Sequence, residues 1–388
     1  MIVVGMAGKT MPELHLGLEG IYFAESSICK VDGTKGRLYY RGYSIGELAG
    51  YSDFEEVSYL LLHGELPTRS QLIAFRRRMR AERTLPNKII GIIEEESVRS
   101  HPMHVLLTAV AALAAYDKEA DVASPRANME KSIRLISKAG SIVAAIGRLR
   151  SGKQYVRPDA RLGHAENMLY MMNGTRPSSN AARLLDLMMV LHAEHSSNAS
   201  TFSTIVTGAT LSDLYSAVAS GIATLKGPLH GGADERALQM LRDIKRPENT
   251  ERYIDEALQN KRRVMGFGHR VYKTYDPRAR IIRKILLDLS LESGEVKNLA
   301  QIALRAEKLM IERLGRSKGI WPNVDFFTGP VYVHIGIIPA LFTPMFAASR
   351  MPGWCAHMLE YWEHSRLIRP LEYYTGQAGR RYVPLGRR

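Results

Sequence analysis

Three short stretches in the second half of the chain set histidines beside glycines or acids. They are Leu191-His192-Ala193-Glu194-His195, Gly227-Pro228-Leu229-His230-Gly231-Gly232 and Gly266-Phe267-Gly268-His269-Arg270. A fourth, Pro322-Asn323-Val324-Asp325-Phe326-Phe327, places one acid in an apolar setting. A carboxylate beside Phe326 and Phe327 is desolvated when buried, which raises its pKa and its basicity. That suits a general base acting on a weak carbon acid. The competing reading of Asp325 is a helix N-cap or a buried ion-pair partner. Gly231, Gly232, Gly266 and Gly268 let backbone approach a ligand closely. A histidine on such a loop, His230 or His269, can polarise a carbonyl. Taken singly, each also fits a hydrogen-bonded structural histidine.

Other spacings invite chemistry that their context does not support. His192 and His195 stand at i and i+3, the spacing of one helix face, so the pair is a candidate for metal ligation. It is not the His-Glu-x-x-His zinc motif, and no cysteine lies near it, so no metal is expected. Gly42-Tyr43-Ser44-Ile45-Gly46 matches the nucleophile turn of serine hydrolases, and His230-Gly231-Gly232 resembles an oxyanion loop. That turn needs several strands before it, and only about forty residues precede Ser44; the oxyanion loop should also come before the nucleophile. Gly266-x-Gly268 lacks the third glycine and the preceding strand of a dinucleotide fingerprint.

The scaffold that must position these groups reads as helical. Gly17-Leu18-Glu19-Gly20 is turn chemistry, and Arg37-Leu38-Tyr39-Tyr40 is a short strand candidate after Asp32-Gly33. Ser52 with Glu55 suggests a capping box for Phe54–His63, which Gly64 closes. Further helices are expected over 72–83, 102–116, 132–148, 180–195, 212–225, 235–244, 249–260, 278–291 and 297–314. Alternation at period two is almost absent, so the fold class is mainly α.

The 388 residues suggest two to three domains at roughly 150 residues each. With 45% hydrophobic residues a large core is available, and disorder is excluded as the main state. Two cysteines, Cys29 and Cys355, exclude a disulfide framework and fit a reducing compartment. Lys and Arg exceed Asp and Glu by 53 to 39, a net charge of +14 that suggests anionic partners. Part of it, Arg69, Arg76, Arg77, Arg78, Arg80 and Arg83 with only Glu82 opposing, falls in one helical stretch that reads as a solvated face. Nucleic-acid binding is the remote alternative, since no recognition motif or aromatic-basic interleaving accompanies the charge. Residues 326–349 carry no charge over a span long enough to cross a bilayer. Pro330, Pro339 and Pro344 are expected to break that span into buried core helices. The apolar run at 1–9 has no preceding positive charge and is no secretory signal, so the default location is cytoplasmic.

Taken together, these stretches closely resemble the citrate synthase family. Gly266-Phe267-Gly268-His269-Arg270-Val271-Tyr272-Lys273-Thr274-Tyr275-Asp276-Pro277-Arg278 resembles the family signature, a specific one because it fixes His, Asp-Pro and Arg at set distances. The likeness covers nearly the whole chain. It includes Tyr40-Arg41-Gly42-Tyr43, Phe54-Glu55-Glu56-Val57, 191–203, 227–235, 322–329, Ser349-Arg350-Met351-Pro352-Gly353-Trp354 and Leu367-Ile368-Arg369-Pro370. Order and spacing are similar to the shorter bacterial and archaeal type.

The resemblance implies condensation of acetyl-CoA with oxaloacetate and water to citrate and CoA, with acyl-CoA as substrate and no bound cofactor. It implies Asp325 as the base, His230 as hydrogen-bond donor to the thioester oxygen and His269 as polariser of the ketone. Arg278 and Arg350 would clamp the oxaloacetate carboxylates with His195 as a further contact. Arg369 would reach across from the partner subunit of a homodimer. Lys273 would lie near the CoA phosphates, with Lys261, Arg262 and Arg263 as nearby candidates. The implied fold has a large domain of 1–230 with 331–388, a small domain of 231–330, and the site in the cleft. Two features differ from the usual citrate-forming pattern. Leu371 stands where the family has Arg or Lys, and Thr328-Gly329-Pro330 is less usual; both resemble 2-methylcitrate synthases, which use propionyl-CoA. Citrate formation is the expectation.

Overall fold

The structure is a computed structural model and describes residues 13–388. The apolar run at 1–9 and the first twelve residues of the expected large domain lie outside the described residues. The chain divides into two units, one of residues 13–25 with 367–388, the other 26–366.

The larger unit opens with a small antiparallel sheet of β1 (Cys29–Asp32), β2 (Arg37–Tyr40) and β3 (Tyr43–Ser44), with Cys29 opposite Tyr40 and Asp32 opposite Arg37. Helices make up most of the rest, as the missing period-two pattern predicts. Phe54–His63 is a helix with those bounds, closed by Gly64 in the left-handed conformation. Its cap is Asp53, which accepts from Glu56 N–H at 2.9 Å, and not Ser52, whose hydroxyl turns to Glu56 Oε2. Asp53 is the residue next to the helix and, as an anion, the better partner for its first N–H groups.

A 26-residue helix, Pro125–Arg150, runs through the core. Against it pack the Arg69–Glu82, Asn87–Glu96, Pro102–Ala112, His164–Asn173 and Phe342–Glu363 helices. Close approach is bought with small residues: a Cβ on Gly140 would overlap the His164 ring, and one on Gly147 would overlap Leu341. A second group, Ala233–Ile244, Thr250–Gln259, Pro277–Leu289, Gly294–Met310 and Val324–His334, packs largely on itself.

Two expectations change. Of the three prolines in 326–349, only Pro339 marks a break. Pro330 sits inside Val324–His334, and Pro344 lies in the first turn of Phe342–Glu363, where a missing N–H costs no helical bond. Among the described residues no helix is long and apolar enough to cross a membrane. The arginine-rich helix is not simply a solvated face. Arg76 pairs with Asp53 and Glu55, Arg78 with Glu130, and Arg83 is buried on Glu55 and the Leu162 carbonyl. Acids distant in sequence supply the counter-charge, whereas only Glu82 is visible within the stretch itself.

The smaller unit has little regular structure beyond short turns at Leu16–Leu18 and Leu385–Arg387. It exposes large apolar side chains, among them Tyr22 at 98%, Leu371 at 86% and Leu385 at 79%.

Candidate active site

His230 sits on the 227–232 turn that leads into the Ala233–Ile244 helix, held by His230 N–H to Gly227 O and Gly231 N–H to Leu225 O. Gly231 is needed there, because a Cβ would overlap the Leu225 carbonyl. The backbone N–H of Ser200 donates to His230 Nε2 at 3.2 Å, and the Ser200 hydroxyl lies 2.9 Å from the same nitrogen. A peptide N–H can only donate, so Nε2 carries the lone pair and the neutral ring has its proton on Nδ1. Burial, then Arg350, lowers the pKa of His230 to about 4.

His269 presents the mirror arrangement. Its loop contains neither helix nor strand and turns at Gly266 and Gly268, where φ is 77° and 87°. The loop is pinned to 321–323 by Gly268 N–H to Trp321 O, Asn323 N–H to Gly266 O and Asn323 Nδ2 to Gly268 O. Val271 and Tyr272 N–H donate to His269 Nδ1 at 3.0 and 3.1 Å, leaving the proton on Nε2. Burial, then Arg278, brings its pKa to about 4, with Asp276 opposing. Both rings are therefore neutral donors at pH 7.

His195 lies 5.2 Å from the His269 ring between centroids, with Nε2 at 3.2 Å from Tyr272 Oη. The preceding helix ends at His192, so His192 and His195 do not share a helix face, and the metal-pair geometry fails. His192 Nδ1 is engaged with Met188 O. Burial holds His195 well below the usual histidine range, and the charges of Arg278 and Arg350 act on it in the same direction. The His269 ring and the two arginine charges thus act on it together.

Arg278 and Arg350 are 3% and 1% exposed. Arg278 forms a forked pair with Asp276, Nε to Oδ1 at 3.1 Å and Nη2 to Oδ2 at 2.8 Å. Burial works against this charge, but Asp276 outweighs it and holds the guanidinium above its ordinary pKa. Arg350 is placed by Nε to His192 O at 2.7 Å and lies 4.8 Å over the Phe346 ring. Burial lowers its pKa, and Glu194, fully buried on His357 at 2.9 Å, partly compensates.

Asp325 is the second residue of Val324–His334, half-buried. Asn323 caps that helix, accepting from Asp325 N–H at 3.1 Å, so the capping reading of Asp325 falls away and its carboxylate is free of that duty. Burial raises its pKa to about 6, against Arg278 and Arg350, with Asp276 adding to the rise.

The basic candidates lie differently. Lys273 is exposed, with Nζ on the Arg270 carbonyl at 3.3 Å. Lys261, Arg262 and Arg263 are exposed on the stretch leading into Gly266, with Arg262 over the Tyr253 ring. Arg369 is exposed in the smaller unit. Ser44, by contrast, is spent on structure: it caps the Ile45–Tyr51 helix in a capping box with Glu47. Residues to which the sequence reading gave no role include Ser200, Asn323, Tyr272, Asp276 and Asp234. Asp276 was legible as an Asp-Pro helix start. Asp234 was not. It is 1% exposed in the first turn of Ala233–Ile244 and is held well above the carboxylate range by burial and then by Asp325.

Comparison with known proteins defines a mainly helical enzyme of the acyl-transferring class. The family model described as "Citrate synthase, C-terminal domain" matches residues 17–371. The chain belongs to the citrate synthase family. It is 44% identical to the citrate synthase of Deinococcus radiodurans over 97% of this chain and 99% of that protein. It is 37% identical to 2-methylcitrate synthase 2 of Corynebacterium glutamicum over 99% and 100%. Among solved structures, the citrate synthase of Thermoplasma acidophilum, in ternary complex with carboxymethyl coenzyme A and oxaloacetate, superimposes with a TM-score of 0.92 at 35% identity, covering 97% of this chain and all of that one.

Proposed function

We propose that the protein condenses acetyl-CoA with oxaloacetate and water to give citrate and CoA. The observation that carries this reading is the pair of neutral imidazoles, each fixed by backbone N–H groups on one nitrogen, grouped with a carboxyl whose basicity burial has raised.

Asp325 takes a methyl proton from the thioester while His230 donates Nδ1–H to the thioester oxygen, so negative charge on that oxygen is met as it forms. The enol carbon then attacks the ketone of oxaloacetate, whose oxygen receives the Nε2–H of His269. Water cleaves the resulting thioester, giving citrate and CoA. Preorganised donors of this kind contribute about 3 kcal/mol each to such a step. Arg278, Arg350 and His195 hold oxaloacetate, and forked guanidiniums suit its two carboxylates. Arg369 completes the clamp from the partner subunit of a homodimer. The exposed Tyr22, Leu371 and Leu385 support such an interface. Lys273, Lys261, Arg262 and Arg263 face the CoA phosphates.

The self-packed helices between Ala233 and His334 support a small domain of 231–330 against a large one of 1–230 with 331–388. Closure over oxaloacetate excludes water and completes the acyl-CoA site, so oxaloacetate binds first. Calorimetry with acetyl-CoA alone checks this, and tight binding to the free protein contradicts it. The enzyme works in the cytoplasm, at the entry to the citric acid cycle.

Thr328-Gly329-Pro330 and Leu371 favour propionyl-CoA as a second reading. One methylene in the acyl pocket is worth roughly 1–3 kcal/mol. CoA release with oxaloacetate, comparing the two thioesters by kcat/KM with Asp325→Asn as control, tests both readings. Preference for acetyl-CoA is expected, preference for propionyl-CoA selects 2-methylcitrate formation, and release with neither overturns the enzyme assignment.

A further inference from the structure

The turn between β1 and β2 sits directly on the His269 loop. Gly33 O accepts the Lys273 N–H at 3.0 Å. A Cβ on Gly33 would overlap the Val271 carbonyl, and one on Gly36 would lie 2.8 Å from both Thr274 Cγ2 and the Tyr275 carbonyl. The peptides gripped in this way are those next to the two N–H groups, Val271 and Tyr272, that fix the His269 ring. With no helix or strand of its own, that loop takes its shape from what clamps it. The 321–323 segment clamps one end and the hairpin turn the other. Gly33 does not have a positive φ, so its own backbone conformation suits any residue, and what it supplies is the absence of a side chain against Val271.

We propose that Gly33 is a positioning residue for catalysis: the hairpin turn, through Gly33, sets the orientation of the His269 imidazole against the ketone. This rests on the reading of His269 as the group that polarises oxaloacetate. Gly33 touches no substrate. It acts through the Val271 and Lys273 peptides, and these act through the N–H groups on Nδ1.

The test compares Gly33→Ala, His269→Gln and Lys35→Ala with the parent enzyme. Lys35 lies exposed in the same turn. Gly33→Ala is expected to lower kcat at least tenfold with the KM for acetyl-CoA within about twofold. The carbonyl stretch of bound isotope-labelled oxaloacetate should also move back toward its value in water. A merely structural role for Gly33 would leave that band in place. Lys35→Ala should behave as the parent. If Gly33→Ala fails to fold, replacing the Lys273 amide by an ester removes the bond to Gly33 without adding bulk, and the same loss is expected. Parent-like kcat and carbonyl frequency in either variant, with His269→Gln impaired, overturns the inference. Parent-like behaviour of His269→Gln overturns the underlying reading of the site instead.

Discussion

On the proposed mechanism the carboxylate of Asp325 is both the working form and the form that burial disfavours. Catalysis needs it ionised, so kcat/KM should rise with pH through about 6 and then level; a pH–rate profile checks this. The stability consequence has the opposite sign. Between the ordinary carboxylate range and about 6, the folded protein binds more protons than the unfolded chain, so stability falls as pH rises through that window. Asp325→Asn should therefore cut activity about 10²–10⁴-fold while raising Tm at pH 7.5, as read by thermal melts. Asp234 is also held well above the carboxylate range, by burial and then by Asp325. Asp234→Asn should leave the acid limb of the profile in place; a displaced limb would show that Asp234 is ionised in the working enzyme. The acid in an apolar run and the histidines among glycines were legible in the sequence, because each signal is local. Ser200 and the Asp325–Asp234 proximity were not, because they arise where separate helices meet.

Asp325 and His230 are carried at the N-terminal ends of two helices that cross tightly. A Cβ on Gly329 of Val324–His334 would lie 2.9 Å from Leu238 Cβ of Ala233–Ile244. Gly329→Ala should cost about 1–3 kcal/mol by overpacking and should lower kcat, because the two ends shift together; Leu238→Ala in the same chain should recover part of both. Denaturant titration and steady-state kinetics check the pair. Most long helices were legible from their apolar spacing. Ile45–Tyr51, Asn87–Glu96, His164–Asn173 and Ala199–Gly208 were not, being short or carrying glycines such as Gly46, Gly50 and Gly91 that weaken the pattern. The 180–195 helix ran three residues too far, since nothing in Ala193-Glu194-His195 announces a stop.

For the whole molecule, the proposed donation of Arg369 across a homodimer makes a sharp prediction. On that proposal, Asp325→Asn and Arg369→Ala dimers should each be impaired. Unfolded and refolded together, they should regain about a quarter of parental activity, since half the dimers are mixed and each has one intact site. No recovery would place Arg369 outside the partner's site. The net charge of +14 was plain in the sequence, but its use was not, because Asp53, Glu55 and Glu130 reach the arginine-rich helix only in the folded chain. The same long reach governs when the site comes into being. Arg350 bonds a carbonyl 158 residues earlier, and the Gly33 turn waits for a loop far downstream. At ~5–20 residues per second, a ribosome needs roughly 10–50 s between delivering the hairpin and its docking partner. During synthesis the hairpin must therefore survive on its own short ladder or in the hands of a chaperone, and on the proposed mechanism a nascent chain cut short before Arg350 should not turn over substrate.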